Sequence, residues 1–240
     1  MCGRYVLEAP DDLSERFHLR QLSFNLRPTF NAAPSQLLPV IVEAAPEVWE
    51  ARLMHWGLIP RWKNSGGKPL PPPINARAES VDEKPMFRGL VAKRRCLVPA
   101  TGFYEWQARG AGERKQPYFI HVTDEPIFAF AGLWDDTRPE GATDDVAGSF
   151  TIVTTAANEA MSSLHHRMPV ILDQSDEATW VSAELQEAGA VMPLLRPLPS
   201  ERIDAFPVSL AVNNVRNDDP HLIEPEGDGA DEEPGQASLF

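Results

Sequence analysis

The chain of 240 residues has two cysteines, Cys2 and Cys96, which form no C-x-x-C pair, no zinc-ligand spacing and no disulfide framework. A reducing compartment is therefore expected. No uninterrupted apolar run approaches the roughly 20 residues of a membrane span, and the first residues reach Glu8, Asp11 and Asp12 without an apolar leader. These absences point to a cytoplasmic protein with no membrane partner, and no metal or cofactor is expected. Internal repeats are lacking. From Asn217 to Phe240 there is no Lys or Arg against eight acids, so part of the net charge of -13 belongs to the tail. An acidic balance of this size excludes broad, nonspecific coating of nucleic acid.

The 42% hydrophobic and 24% charged content is ordinary for a globular domain. Between Arg61 and Arg95 the sign of the charge reverses: nine Lys and Arg face only Glu79, Asp82 and Glu83. This local field suits a short phosphate-binding groove, although a solvated basic face accounts for it equally well. Runs rich in β-branched and aromatic residues predict strands over Leu37–Val42, Ala51–Leu58, Cys96–Trp106, Tyr118–Val122, Ile127–Trp134 and Phe150–Thr154, with a hairpin turn at Thr123–Pro126. Helices are expected over Pro10–Leu19, over Ala156–Leu164 with Thr155 as cap, and from a Ser175 cap to about Ala188. With no β-α-β alternation, the expected fold is α+β: one domain on a mixed or antiparallel, barrel-like sheet with a few peripheral helices.

Cys2 follows Met1 directly, and a small second residue invites removal of the initiator, whether autocatalytic or by an aminopeptidase. The α-amine and thiol of an N-terminal cysteine, which titrate near about 8 and 8.5, can capture an aldehyde as an imine and close it into a five-membered thiazolidine. Position alone favours a merely small residue. Five polar segments change that: M-C-G-R-Y (Met1–Tyr5), W-G-L-I-P-R-W (Trp56–Trp62), N-A-R-A-E-S (Asn75–Ser80), P-A-T-G-F-Y-E-W (Pro99–Trp106) and L-H-H-R-M-P-V-I-L (Leu164–Leu172). With N-A-A-P (Asn31–Pro34), T-T-A-A-N (Thr154–Asn158) and P-V-S-L-A-V-N-N-V-R-N (Pro207–Asn217) in order, the chain resembles the SRAP family over residues 1–219.

The resemblance implies a protein that shields abasic sites in single-stranded DNA. Cys2 would be the covalent nucleophile, Asn75 would hold the cysteine or sugar, Glu105 would move protons and His165 would complete the site. Read singly, each has a bland alternative: a solvent-facing strand Glu, an Asx turn, a helix-end His. His166 competes with His165, which motif spacing alone selects. Arg4, Arg77 and Arg167 each lie two residues from a proposed site residue and are candidates to clamp phosphates. Trp62 and Trp106 are candidates to stack on bases, and Trp56 is assigned to the core. Two rival functions remain open: a thiol peptidase or N-terminal nucleophile hydrolase built on Cys2, His165 and Glu105, without a separate oxyanion-hole motif, and a noncatalytic, clamp-associated single-strand binder.

Residues 220–240 are expected to form an acidic, disordered tail. Its last five residues, Gln236-Ala-Ser-Leu-Phe240, resemble peptides that hook bacterial DNA-processing proteins onto the replicative sliding clamp, with Leu239 and Phe240 filling an apolar cleft and Gln236 at its rim. A replication-fork location follows from that reading.

Overall fold

Strand formation follows the β-branched and aromatic runs. The computed structural model describes residues 2–20, 22, 24–60, 71–110 and 112–227. Among them the strands are β1 (Tyr5–Leu7), β2 (Thr29–Ala32), β3 (Leu37–Ala45), β4 (Val48–Trp56), β5 (Asn75–Arg77), β6 (Arg95–Ala100), β7 (Gly102–Gln107), β8 (Gln116–Val122), β9 (Phe128–Asp135), β10 (Val146–Ala156), β11 (Arg167–Pro169), β12 (Ile171–Leu172) and β13 (Ile203–Pro207). Short helices α1 (Leu13–Arg16), α2 (Arg88–Lys93), α3 (Glu159–Ser162), α4 (Gln174–Val181) and α5 (Ala188–Val191) lie between them.

Strands β10, β4, β3, β6 and β9 pair in that order, and β9 pairs back onto β10, closing a five-stranded barrel. All its pairs are antiparallel except β10 with β4. Strands β6 and β9 are buried on both faces, which is why they read as continuous apolar runs rather than as alternating ones. A second sheet, ordered β13-β8-β7-β1-β2, lies against it. The inward faces of that sheet, Tyr5, Phe103 and Ile120, join the main core, where Phe103 and Tyr5 meet Phe130 edge-on at 5.9 and 6.0 Å. Its outward residues, Val6, Tyr104 and Phe119, form a smaller cluster with Val208, Val212 and Leu222. The α+β, barrel-like architecture expected from sequence is the one observed.

Details depart from expectation for physical reasons. The strand expected over Cys96–Trp106 divides at Thr101, where the chain leaves the barrel for the second sheet. A Cβ on Gly102 would come within 2.2 Å of the Phe119 ring, so the crossing requires glycine. Thr123 and Asp124 do form a turn, but not a hairpin, because β8 and β9 belong to different sheets. Turn chemistry reports a reversal, not its partner. The first helix is one α-helical turn after a 3-10 turn, and the third is capped by Asn158, whose side chain accepts from the Met161 N–H at 2.9 Å, rather than by Thr155. Thr155 instead pairs with Met168 in the sheet. Ser175 lies inside α4, which starts one residue earlier and ends at Val181.

The chain expected to leave the body at residue 220 stays on it to Glu226. Leu222 is buried in the outer cluster, and Glu226 donates its N–H to the Pro207 carbonyl at 2.8 Å. The proposed clamp residues Gln236, Leu239 and Phe240, like Trp62, lie outside the described residues.

Candidate functional site

The antiparallel register of β1 on β7 sets Tyr5 opposite Phe103, and the Tyr104 N–H donates to the Arg4 carbonyl at 3.1 Å. Carried two residues further, that register lays Gly3 alongside Glu105. Strand alternation turns Glu105 inward, on the face opposite Tyr104 and Trp106, so those rings do not enclose it. Cys2 is fully buried. Burial, and then the Glu105 charge, push its thiol well above the usual range, while the Arg4 backbone N–H donating to sulfur works the other way. The sulfur is thus held as a thiol beside a buried carboxylate.

The Glu105 charge acts on His165 as well. Helix α3 ends by taking the His165 N–H onto the Met161 carbonyl at 3.0 Å. The Arg167 N–H donates to His165 Nδ1 at 2.9 Å. The same Nδ1 also lies 3.3 Å from the Arg167 carbonyl, so one ring nitrogen meets both polar groups of the Arg167 backbone. Burial lowers the His165 pKa, opposed by Glu105 and reinforced by His166, whose ring stacks at 4.3 Å. Cys2, Glu105 and His165 therefore form one electrostatic group. Strand β10 joins two further candidate segments: β5 runs parallel to it with Asn75 opposite Ile152, and β11 runs antiparallel with Arg167 opposite Ala156. Both amide atoms of Asn75 are buried with no hydrogen-bond partner among the described residues, an arrangement costly to keep unless a ligand satisfies it.

The cations differ more than their common spacing suggested. Arg77 is exposed. Arg167 is only 11% exposed and grips Glu79 with both terminal nitrogens at 2.6 and 2.9 Å, adding the Thr154 carbonyl at 2.6 Å. That grip holds the Glu79 carboxyl below its usual range. Arg4 donates to Asn31 Oδ1 at 2.7 Å and to the Val212 carbonyl at 3.0 Å, with its guanidinium 6.0 Å from the Trp106 ring centre. Trp106 is half-buried and donates to Asn213 Oδ1 at 2.7 Å. Trp56 is fully buried, stacked on Phe150, as its assignment to the core required.

Sequence reasoning passed over Asn31 and Glu79. Asn31 and Glu79 lay in motifs noted for their order, yet their roles depend on partners far along the chain. The Asn31 amide donates to the carbonyls of Val212, Asn214 and Asn217, so it ties β2 to the V-N-N-V-R-N segment. Among the described residues no three of His, Cys, Asp and Glu gather to hold a metal, and no helix is long and apolar enough to cross a membrane. A cavity of about 520 Å³ between the β3–β4 hairpin and α4 shares no residue with the Cys2, Glu105 and His165 group, and the chemistry places the site at that group.

A family model described as SOS response associated peptidase (SRAP) matches residues 1–215. The chain is 38% identical over 230 residues to the abasic site processing protein YoqW of Bacillus subtilis (strain 168), covering 93% of this chain and 99% of that protein. It is 31% identical over 235 residues to the abasic site processing protein YedK of Escherichia coli (strain K12), covering 94% and 100% respectively. A crystal structure of a protein from Bacteroides thetaiotaomicron superposes with a TM-score of 0.78 at 29% identity, covering 94% of this chain and all of that one.

Proposed function

As the chain belongs to the SRAP family, we propose that it processes abasic sites in DNA, capturing the ring-opened sugar aldehyde covalently on Cys2 once Met1 has been removed. The observation that carries this reading is the convergence of a buried Cys2 thiol, Glu105 and His165 in one electrostatic group. Glu105 takes the proton from the α-ammonium, the freed amine adds to the aldehyde carbon, and the carbinolamine loses water as Glu105 returns that proton. The thiol, kept neutral by burial and by Glu105, does not compete at this stage. Once the iminium forms, its positive charge counters both effects, and sulfur closes the ring while its proton passes to nitrogen. His165 assists opening of the closed sugar by hydrogen bonding its ring oxygen. The buried Asn75 amide supports a role in holding the sugar or the Cys2 amine.

Single-stranded DNA is bound in this proposal by Arg77 and Arg4, by Arg167 when phosphate displaces Glu79, and by stacking on Trp106 and Trp62. The test is incubation of purified protein with abasic DNA, undamaged DNA and peptide pools in parallel. A denaturation-resistant adduct with abasic DNA alone is the expected result. Reversible binding only, or peptide cleavage, would favour a single-strand binder or a thiol peptidase in its place.

A further inference from the structure

Glu105 and His165 are carried by different sheets. Glu105 lies on β7 of the second sheet, whereas His165 lies in the connection from α3 to β11, and β11 pairs with β10 of the barrel. Backbone ladders fix register within a sheet, but side chains set the spacing between sheets, so a polar contact from β7 to that connection bears on the candidate chemistry. Gln107 makes one. It stands two residues beyond Glu105 on the same face of β7, half-buried, and its Nε2 donates to the Ser163 carbonyl at 3.3 Å. Ser163 directly follows α3, where carbonyls run out of intrahelical partners, and precedes His165 by two residues. The far side of the amide is held too. The Tyr118 hydroxyl donates to Gln107 Oε1 at 3.2 Å, and Tyr118 is the residue directly opposite Glu105 on β8, so it reaches Gln107 along the diagonal of one strand pair. A carbonyl only accepts, so Nε2 faces Ser163 and Oε1 meets the phenol.

We propose that Gln107 is a positioning residue for His165, the hydrogen-bonded chain Tyr118–Gln107–Ser163 holding the connection that carries the imidazole in place against β7 and Glu105. The inference rests on the covalent capture proposed above and concerns its first step, the opening of the closed sugar. In that step the bond from C1 to the ring oxygen breaks, the C1 hydroxyl loses its proton as the C=O forms, and the ring oxygen gains one. No outside reagent is consumed. A group that hydrogen-bonds the departing oxygen works only when aligned on it, and a displacement of about 1 Å can cost about 10²-fold. Losing one hydrogen bond loosens the connection rather than dislodging it, because the Ala157 N–H still donates to the His166 carbonyl at 3.2 Å and Arg167 still holds Thr154. The effect of Gln107 is therefore confined to the step that uses His165. An aldehyde that is already open does not need it.

Two aldehydes separate this role from a merely structural one. An abasic oligonucleotide presents a sugar that must open, whereas an oligonucleotide bearing an acyclic aldehyde linker, with no hydroxyl able to close on it, presents the carbonyl directly. In single-turnover crosslinking, Gln107→Leu should lose about three- to tenfold in rate on the abasic strand and nothing on the acyclic one. Tyr118→Phe, which frees the amide without removing it, should show a smaller loss in the same pattern. Gln107→Leu added to His165→Ala should cost nothing further on the abasic strand, since both act through one group. Equal slowing of both aldehydes, a wild-type rate in Gln107→Leu, or losses that add in the double variant would each overturn the proposal. A wild-type protein that crosslinks neither aldehyde would instead sink the capture reaction itself.

Discussion

Cys2 carries the chemistry only if its nitrogen is an amine. Cys2→Ala should abolish the denaturation-resistant adduct and leave noncovalent affinity for single-stranded DNA nearly intact, as denaturing gels and anisotropy would show. A fusion that retains Met1 should be almost as defective, because an amide nitrogen forms no imine; full crosslinking by such a fusion would refute the chemistry. Glu105→Gln removes the proton donor and should slow crosslinking by about 10²-fold or more. His165→Ala should be slower than His166→Ala, since His165 is the ring held on the Arg167 backbone and acted on by Glu105. Burial favours the neutral form of His165, so its functional state persists as pH falls. Protonation of the α-amine sets a first acid limb at about 8, so His165 should add a second, lower break below the ordinary imidazole value of about 6.5 that is absent from His165→Ala; a break that persists in His165→Ala would contradict the assignment.

Between residues, the elements are held to the site by polar ties that span the chain. Asn31 on β2 anchors Arg4 and three carbonyls of the 212–217 segment, which in turn holds Trp106 through Asn213. Asn31→Ala removes four hydrogen bonds from this part-buried junction and should cost about 1–3 kcal/mol in urea denaturation, together with weaker DNA binding as Arg4 and Trp106 loosen. The Arg167 clasp makes a different forecast. Arg77→Ala and Arg167→Ala should each flatten the salt dependence of binding by about one phosphate's share, near 0.7 for single strands. Glu79→Gln should strengthen binding, because phosphate no longer has to displace a carboxylate from Arg167. Unchanged salt slopes in both arginine variants would remove them from the DNA path.

For the whole molecule, the acidic balance gives weak long-range attraction to DNA, and a tethered clamp peptide would compensate by raising local concentration at replication forks. Deleting residues 236–240 should leave crosslinking of short oligonucleotides unchanged and abolish binding to purified sliding clamp; an intact protein that fails to bind clamp at high micromolar concentration would end that proposal. Much of this molecule was legible before its structure. The strand runs, the α+β class and the ordered motifs containing Cys2, Asn75, Glu105 and His165 follow from local periodicity and from residue identity, which a linear chain displays in full. Tertiary structure decided the rest. It divided Cys96–Trp106 between two sheets, sent the chain from Thr123 into a different sheet, engaged Arg167 with Glu79 and buried the Tyr5 hydroxyl. Each of these depends on which distant strand supplies the facing surface, and a local pattern specifies that a face must be buried without specifying against what.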